Sequence, residues 1–133
     1  MKRVAIVEKG QDGTYSAYFI GKGAIVVGDG ASAAEAKADF IKGVEELISH
    51  FTETGEDIPK ELQNVKWEYK YDIASIFNYF DFINVTKFAK RAGINASLLR
   101  QYKTRDTYIS EAQMAKIQNA LQTAGKEMSE AIL

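Results

Sequence analysis

The chain has 133 residues, no Cys, one Pro and one His, and 17 basic against 18 acidic side chains. Its length suits one domain or two very small ones, and 46% hydrophobic residues are enough for a packed core, which excludes general disorder. The lack of Cys excludes a disulfide scaffold and thiolate metal sites, and a net charge of −1 gives no sign of a nucleic-acid partner.

Val4–Val7 is a short apolar run, and Asp12-Gly13 after it suits a tight hairpin. Tyr15, Ala17 and Phe19 alternate with more polar neighbours, predicting a second strand, and Ala24–Val27 predicts a third. Gly21, Gly23, Gly28 and Gly30 read as turns of a small meander, since their spacing does not form a phosphate-binding loop. Ser32-Ala33-Ala34-Glu35 is a capping box. Ala36, Phe40, Val44, Leu47, Ile48 and Phe51 then form one helical stripe, opposite Lys37, Asp39, Lys42, Glu45 and Glu46. Val65–Tyr71 alternates throughout and predicts a fourth strand with an aromatic face. The first segment therefore reads as a βββαβ unit. Its acidic residues lie in turns and on a solvated helix face, and His50 suits a helix end, so no catalytic or metal-binding set is expected.

Asp72 can cap a short helix in which Ile73, Ile76, Phe77 and Phe80 share a face. The segment Ile73–Ile83 is aromatic-rich and suits either a dimer surface or burial between two modules. Asn84 caps the next helix, Phe88 and Ala89 face inward, and Gly93 stops it. Asn95 caps a further helix over residues 96–103, with Leu99 and Tyr102 inward and Ser97, Arg100 and Gln101 outward. Two short helices joined by a tight Gly turn describe a helix-turn-helix. Ser110 begins a last helix with Met114, Ile117, Leu121 and Ala124 buried, and Gly125 is expected to end it.

The charges are divided unevenly. Residues 1–81 carry a net charge of −5 and residues 82–133 a net charge of +4, an asymmetry that suits an acidic module joined to a nucleic-acid binder. No apolar run nears the roughly 18 residues of a membrane span, and Met1–Gly10 is too weakly apolar for a signal peptide. A soluble intracellular protein is expected.

Residues 84–122 resemble the Xre/Cro-type helix-turn-helix, most clearly over Phe88–Asn95. The whole chain, over roughly residues 3–125, resembles the HicB antitoxins of bacterial type II toxin–antitoxin systems. Thr14-Tyr15-Ser16-Ala17, Gly28-Asp29-Gly30 and Ser32–Ala36 stand where that family has a Tyr-x-Ala strand, a Gly turn and a capped Ala-rich helix. The resemblance implies an α+β chain in the bacterial cytoplasm. Residues 1–72 would form a degenerate ribonuclease-H-like βββαβ domain that covers a HicA-like mRNA-cleaving toxin. Residues 73–133 would form an all-α helix-turn-helix domain with its core at 84–125, binding operator DNA as a homodimer or higher homo-oligomer. No catalytic activity and no cofactor are expected. Where the family often has Pro-Asp-Leu-Pro-Gly-Cys, this chain has Ile20–Ile25 without Pro or Cys. A HicB-like regulator or interaction module without a toxin partner is therefore the alternative.

On this reading Ser97, Arg100 and Gln101 face base edges, where Arg matches guanine and Gln matches adenine. Lys87, Lys103 and Arg105, with the helix starts at Asn84 and Asn95, hold phosphates.

Overall fold

A computed structural model describes residues 1–104 and 108–133. Strand β1 (Lys2–Lys9) turns into β2 (Tyr15–Ile20) through a loop closed by Asp12, whose Oδ1 accepts the Thr14 backbone N–H at 3.0 Å and its hydroxyl at 2.7 Å. Those two bonds hold the Asp12 carboxyl below its ordinary pKa. A second hairpin, with the Gly21 N–H on the Ala24 carbonyl at 2.8 Å, leads to β3 (Ile25–Gly30). Helix α1 (Ala33–Thr54) crosses over, and β4 (Lys66–Asp72) returns parallel to β1. Then follow α2 (Ile73–Tyr79), α3 (Val85–Ala92), α4 (Ala96–Thr104), the two-residue β5 (Tyr108–Ile109) and α5 (Glu111–Glu130).

Among the described residues the fold is α+β: five helices and one mixed sheet ordered β3-β2-β1-β4-β5. Only the β1–β4 pair is parallel.

Side chains alternate across this sheet, and α1 covers one face. Ala5, Val7, Ala17 and Val26 are buried on that face against Ala36, Phe40 and Val44 of α1. The Phe40 ring meets Trp67 edge-on at 4.9 Å. Gly28 lies inside β3, and a Cβ there would stand 2.2 Å from the Phe40 backbone nitrogen. Gly28 and Gly30 are therefore strand residues under a closely packed helix, not turn residues. The outer edge of β3 is engaged too, because the Asp29 N–H donates to Asp39 Oδ2 of α1 at 2.9 Å.

The helical segment packs onto the same core. Ile73, Ile76 and Phe77 are buried, and the Phe77 ring meets Phe88 edge-on at 5.4 Å. Of the two roles open to the Ile73–Ile83 segment, burial within the chain accounts for these three side chains, while Phe82 remains 71% exposed. β5 extends the sheet by pairing Ile109 with Tyr71. Buried Phe88, Leu99, Ile109 and Ile117 join Val7, Phe40 and Tyr71 in one hydrophobic cluster.

Polar ties cross the same boundary. The Lys37 ammonium of α1 donates to Glu111 of α5 at 2.7 Å and to the Tyr71 hydroxyl of β4. Lys9 is 8% exposed, with its Nζ 4.1 Å and 4.3 Å from the ring centroids of Tyr15 and Tyr79, and donates to the Gly13 carbonyl at 2.9 Å.

Other elements differ in extent from the sequence reading. β1 runs from Lys2 to Lys9 because parallel pairing with β4 recruits Lys2 and Arg3 and antiparallel pairing with β2 recruits Glu8 and Lys9. Ala24 belongs to the hairpin and not to β3. α5 continues through Gly125 to Glu130, since a glycine within a helix costs only about 1 kcal/mol and the flanking residues keep the helical bonds. Its buried positions are Ile117 and Ala120, with Met114, Leu121 and Ala124 half-buried.

Candidate nucleic-acid interface

The α3–α4 pair is set by local chemistry. Asn84 caps α3 by accepting the Lys87 N–H at 3.0 Å, and Asn95 caps α4 by accepting the Leu98 N–H at 3.1 Å. Gly93, at φ 69°, takes the left-handed conformation that ends α3 and lets the Ile94 N–H reach the Ala89 carbonyl at 3.0 Å. Ala89 and Leu99 have no exposed surface, so a small side chain on one helix and a branched one on the other hold the pair together.

That packing fixes what faces outward. Ser97, Arg100 and Gln101 are all exposed on α4, and Tyr102 is half-buried against the core. Arg100 is held in place: its Nη1 donates to the Thr86 hydroxyl of α3 at 2.8 Å, and its Nη2 donates to the Ser97 hydroxyl at 3.2 Å. Two of the three residues expected at base edges are thus joined, and both are brought beside the start of α3. Thr86 was missed by the sequence reading, because a cross-helix bond between residues fourteen apart leaves no periodic trace.

The expected phosphate contacts separate into three groups. Asn84, Lys87 and Asn95 are exposed at the starts of α3 and α4, with both Asn side-chain oxygens engaged as caps. The backbone N–H groups of the first turns of α3 and α4 precede any intrahelical acceptor and suit an anion. Lys103 is only half-exposed. Arg105 lies outside the described residues. Of the other cations on α3, Arg91 is paired with Glu127 of α5 at 2.8 Å, while Lys90 is exposed.

A second surface lies on the sheet face away from α1. Ile20, Ile25 and Val27 are 68%, 64% and 54% exposed there, beside half-buried Ile6 and Tyr18. At one end of this face, Glu8 and Asp72 lie at or next to the ends of the adjacent strands β1 and β4. Burial, and then the Asp72 charge, raises the Glu8 pKa. Among the described residues, no three His, Asp or Glu side chains gather to hold a metal ion. His50 is exposed and edge-on to Phe51 at 5.9 Å. No described helix is long and apolar enough to cross a membrane.

No family model matches the chain, and neither a curated protein nor a solved structure matches it.

Proposed function

We propose that the chain is a DNA-binding transcriptional repressor of the HicB-like antitoxin type, reading operator DNA through an α3–α4 helix-turn-helix. The observation that carries this reading is Arg100: exposed on α4 beside exposed Gln101, and hydrogen-bonded to Thr86 at the start of α3. In this mode α4 enters the major groove, Arg100 meets guanine O6 and N7, and Gln101 meets adenine. Lys87 and the capped helix starts hold phosphates on either side. Two copies would read half-sites about one helical turn apart.

The N-terminal segment takes the antitoxin role. The net charge of −5 over residues 1–81 would attract a basic HicA-like ribonuclease electrostatically, and the exposed Ile20, Ile25 and Val27 offer apolar contact area. The reading as a regulator without a toxin rests on the β2–β3 hairpin, where Ile20–Ile25 lacks the family's Pro and Cys. Co-expression with the product of an adjacent reading frame separates the two. Relief of growth arrest supports the antitoxin, and persistent arrest supports the regulator alone.

Fluorescence anisotropy with duplex DNA over a salt series tests the DNA reading. Binding should weaken steeply with salt, and Lys87→Ala should weaken it on all duplexes alike while reducing the salt slope by about 1. Absence of binding, or binding indifferent to salt, overturns the proposal.

A further inference from the structure

The geometry points to Thr86 as a positioning residue that sets the base preference of Arg100 by holding its guanidinium from the neighbouring helix. This inference rests on the DNA-binding reading above.

An exposed arginine on a helix ordinarily samples many rotamers, and a base contact must then overcome the entropy of ordering it. Here that ordering is already done within the chain. Thr86 is half-buried, β-branched and therefore stiff at χ1, and it lies between the Asn84 cap and the buried Phe88 and Ala89. Its hydroxyl accepts from Nη1 at 2.8 Å, while Ser97 in the first turn of α4 accepts from Nη2 at 3.2 Å. A guanidinium anchored on two helices takes a direction fixed by the packing of α3 against α4.

The chemistry of the anchors matters as much as their position. Both are neutral hydroxyls. Arg91, on the same helix as Thr86, is instead paired with the Glu127 carboxylate at 2.8 Å. A carboxylate would offset the charge that DNA must meet, whereas a hydroxyl directs the group and leaves its charge in place. The two bonds also leave three of the five guanidinium N–H groups for a base edge. Guanine, with adjacent O6 and N7 acceptors, is the base that fits a guanidinium presented in this way.

The experiment uses the full chain. A randomised duplex library is selected for binding, and the selected duplex is compared by anisotropy with versions in which each guanine is replaced in turn. Wild type should prefer guanine at one position of each half-site, and Arg100→Ala should lose that preference. Thr86→Val keeps the side-chain shape without the hydroxyl. It should reduce the preference about tenfold, the loss expected for a hydrogen bond to a charged group, with binding to random duplex and its salt slope unchanged. Thr86→Ser should restore the preference. Arg100→Lys, which keeps the charge but not the fork, should lose the preference while retaining binding to random duplex. Adding Thr86→Val to Arg100→Ala should cost nothing more in base preference, since Thr86 acts through Arg100. Wild-type preference in Thr86→Val, or additive losses in the double variant, would overturn this inference alone. Failure of wild type to bind any duplex removes the DNA-binding reading and this inference with it.

Discussion

At the scale of single residues, two glycines that look alike in the sequence have opposite meanings. A methyl group at Gly28 would meet the Phe40 backbone nitrogen at 2.2 Å and the Ala36 carbonyl oxygen at 2.6 Å, and neither backbone can yield without lifting α1 from the sheet. Gly28→Ala should therefore destabilise the chain by about 1–3 kcal/mol or more, as overpacking does, read as a lower denaturation midpoint. A methyl group at Gly125 would meet nothing within 4 Å, in a helix that runs on to Glu130. Gly125→Ala should stabilise by about 0.5–1 kcal/mol, because alanine gives up less backbone entropy in a helix. A midpoint that moves the wrong way for either variant would contradict its placement.

At the scale of elements, the Lys37–Tyr71–Glu111 contact joins α1, β4 and α5 and has a definite pH dependence. Burial alone would lower the Lys37 pKa, but its hydrogen bonds to Glu111 and Tyr71 prevail and raise it. The same ammonium lowers the Glu111 pKa from its ordinary 4.5. A lowered acid stabilises the fold above its ordinary value, and that contribution disappears as pH falls through the lowered one. Glu111→Gln should therefore melt below wild type at neutral pH and match it in strong acid. The difference should be small, since Glu111 is largely exposed. The caps were legible in the sequence for a local reason: Ser32, Asp72, Asn84, Asn95 and Ser110 each bond a backbone N–H three residues on. Leu99 and Tyr102, by their spacing, likewise pointed Ser97, Arg100 and Gln101 outward. β5 was not legible, because two residues carry no period and Ile109 joins the sheet only through Tyr71. The strand role of Gly28 and the Thr86–Arg100 bond stayed hidden for the same reason, each depending on a partner from a different element.

At the scale of the whole molecule, a strongly uneven charge distribution sits on a continuous core. Tyr71, Phe77, Phe88, Ile109 and Ile117 belong to one cluster, so the acidic and basic segments share much of what stabilises them. We expect far-UV circular dichroism and Trp67 fluorescence to trace one coincident unfolding curve, the mark of a single cooperative unit. Residues 1–83 alone would leave Ile73, Ile76 and Phe77 without the cover of α3 and α4 and should bind hydrophobic dyes. Two resolved transitions would show that the segments unfold independently. The hydrogen bond from the Asp29 N–H to Asp39 Oδ2 bears on a different hazard. A strand at the margin of a sheet that carries exposed Ile25 and Val27, as β3 does, is a template on which other chains can polymerise. The Asp39 carboxylate occupies one of the donors such growth needs and places a negative charge where an incoming strand would dock. A single side chain of α1, far in sequence from the basic helices, thus guards the open edge of β3.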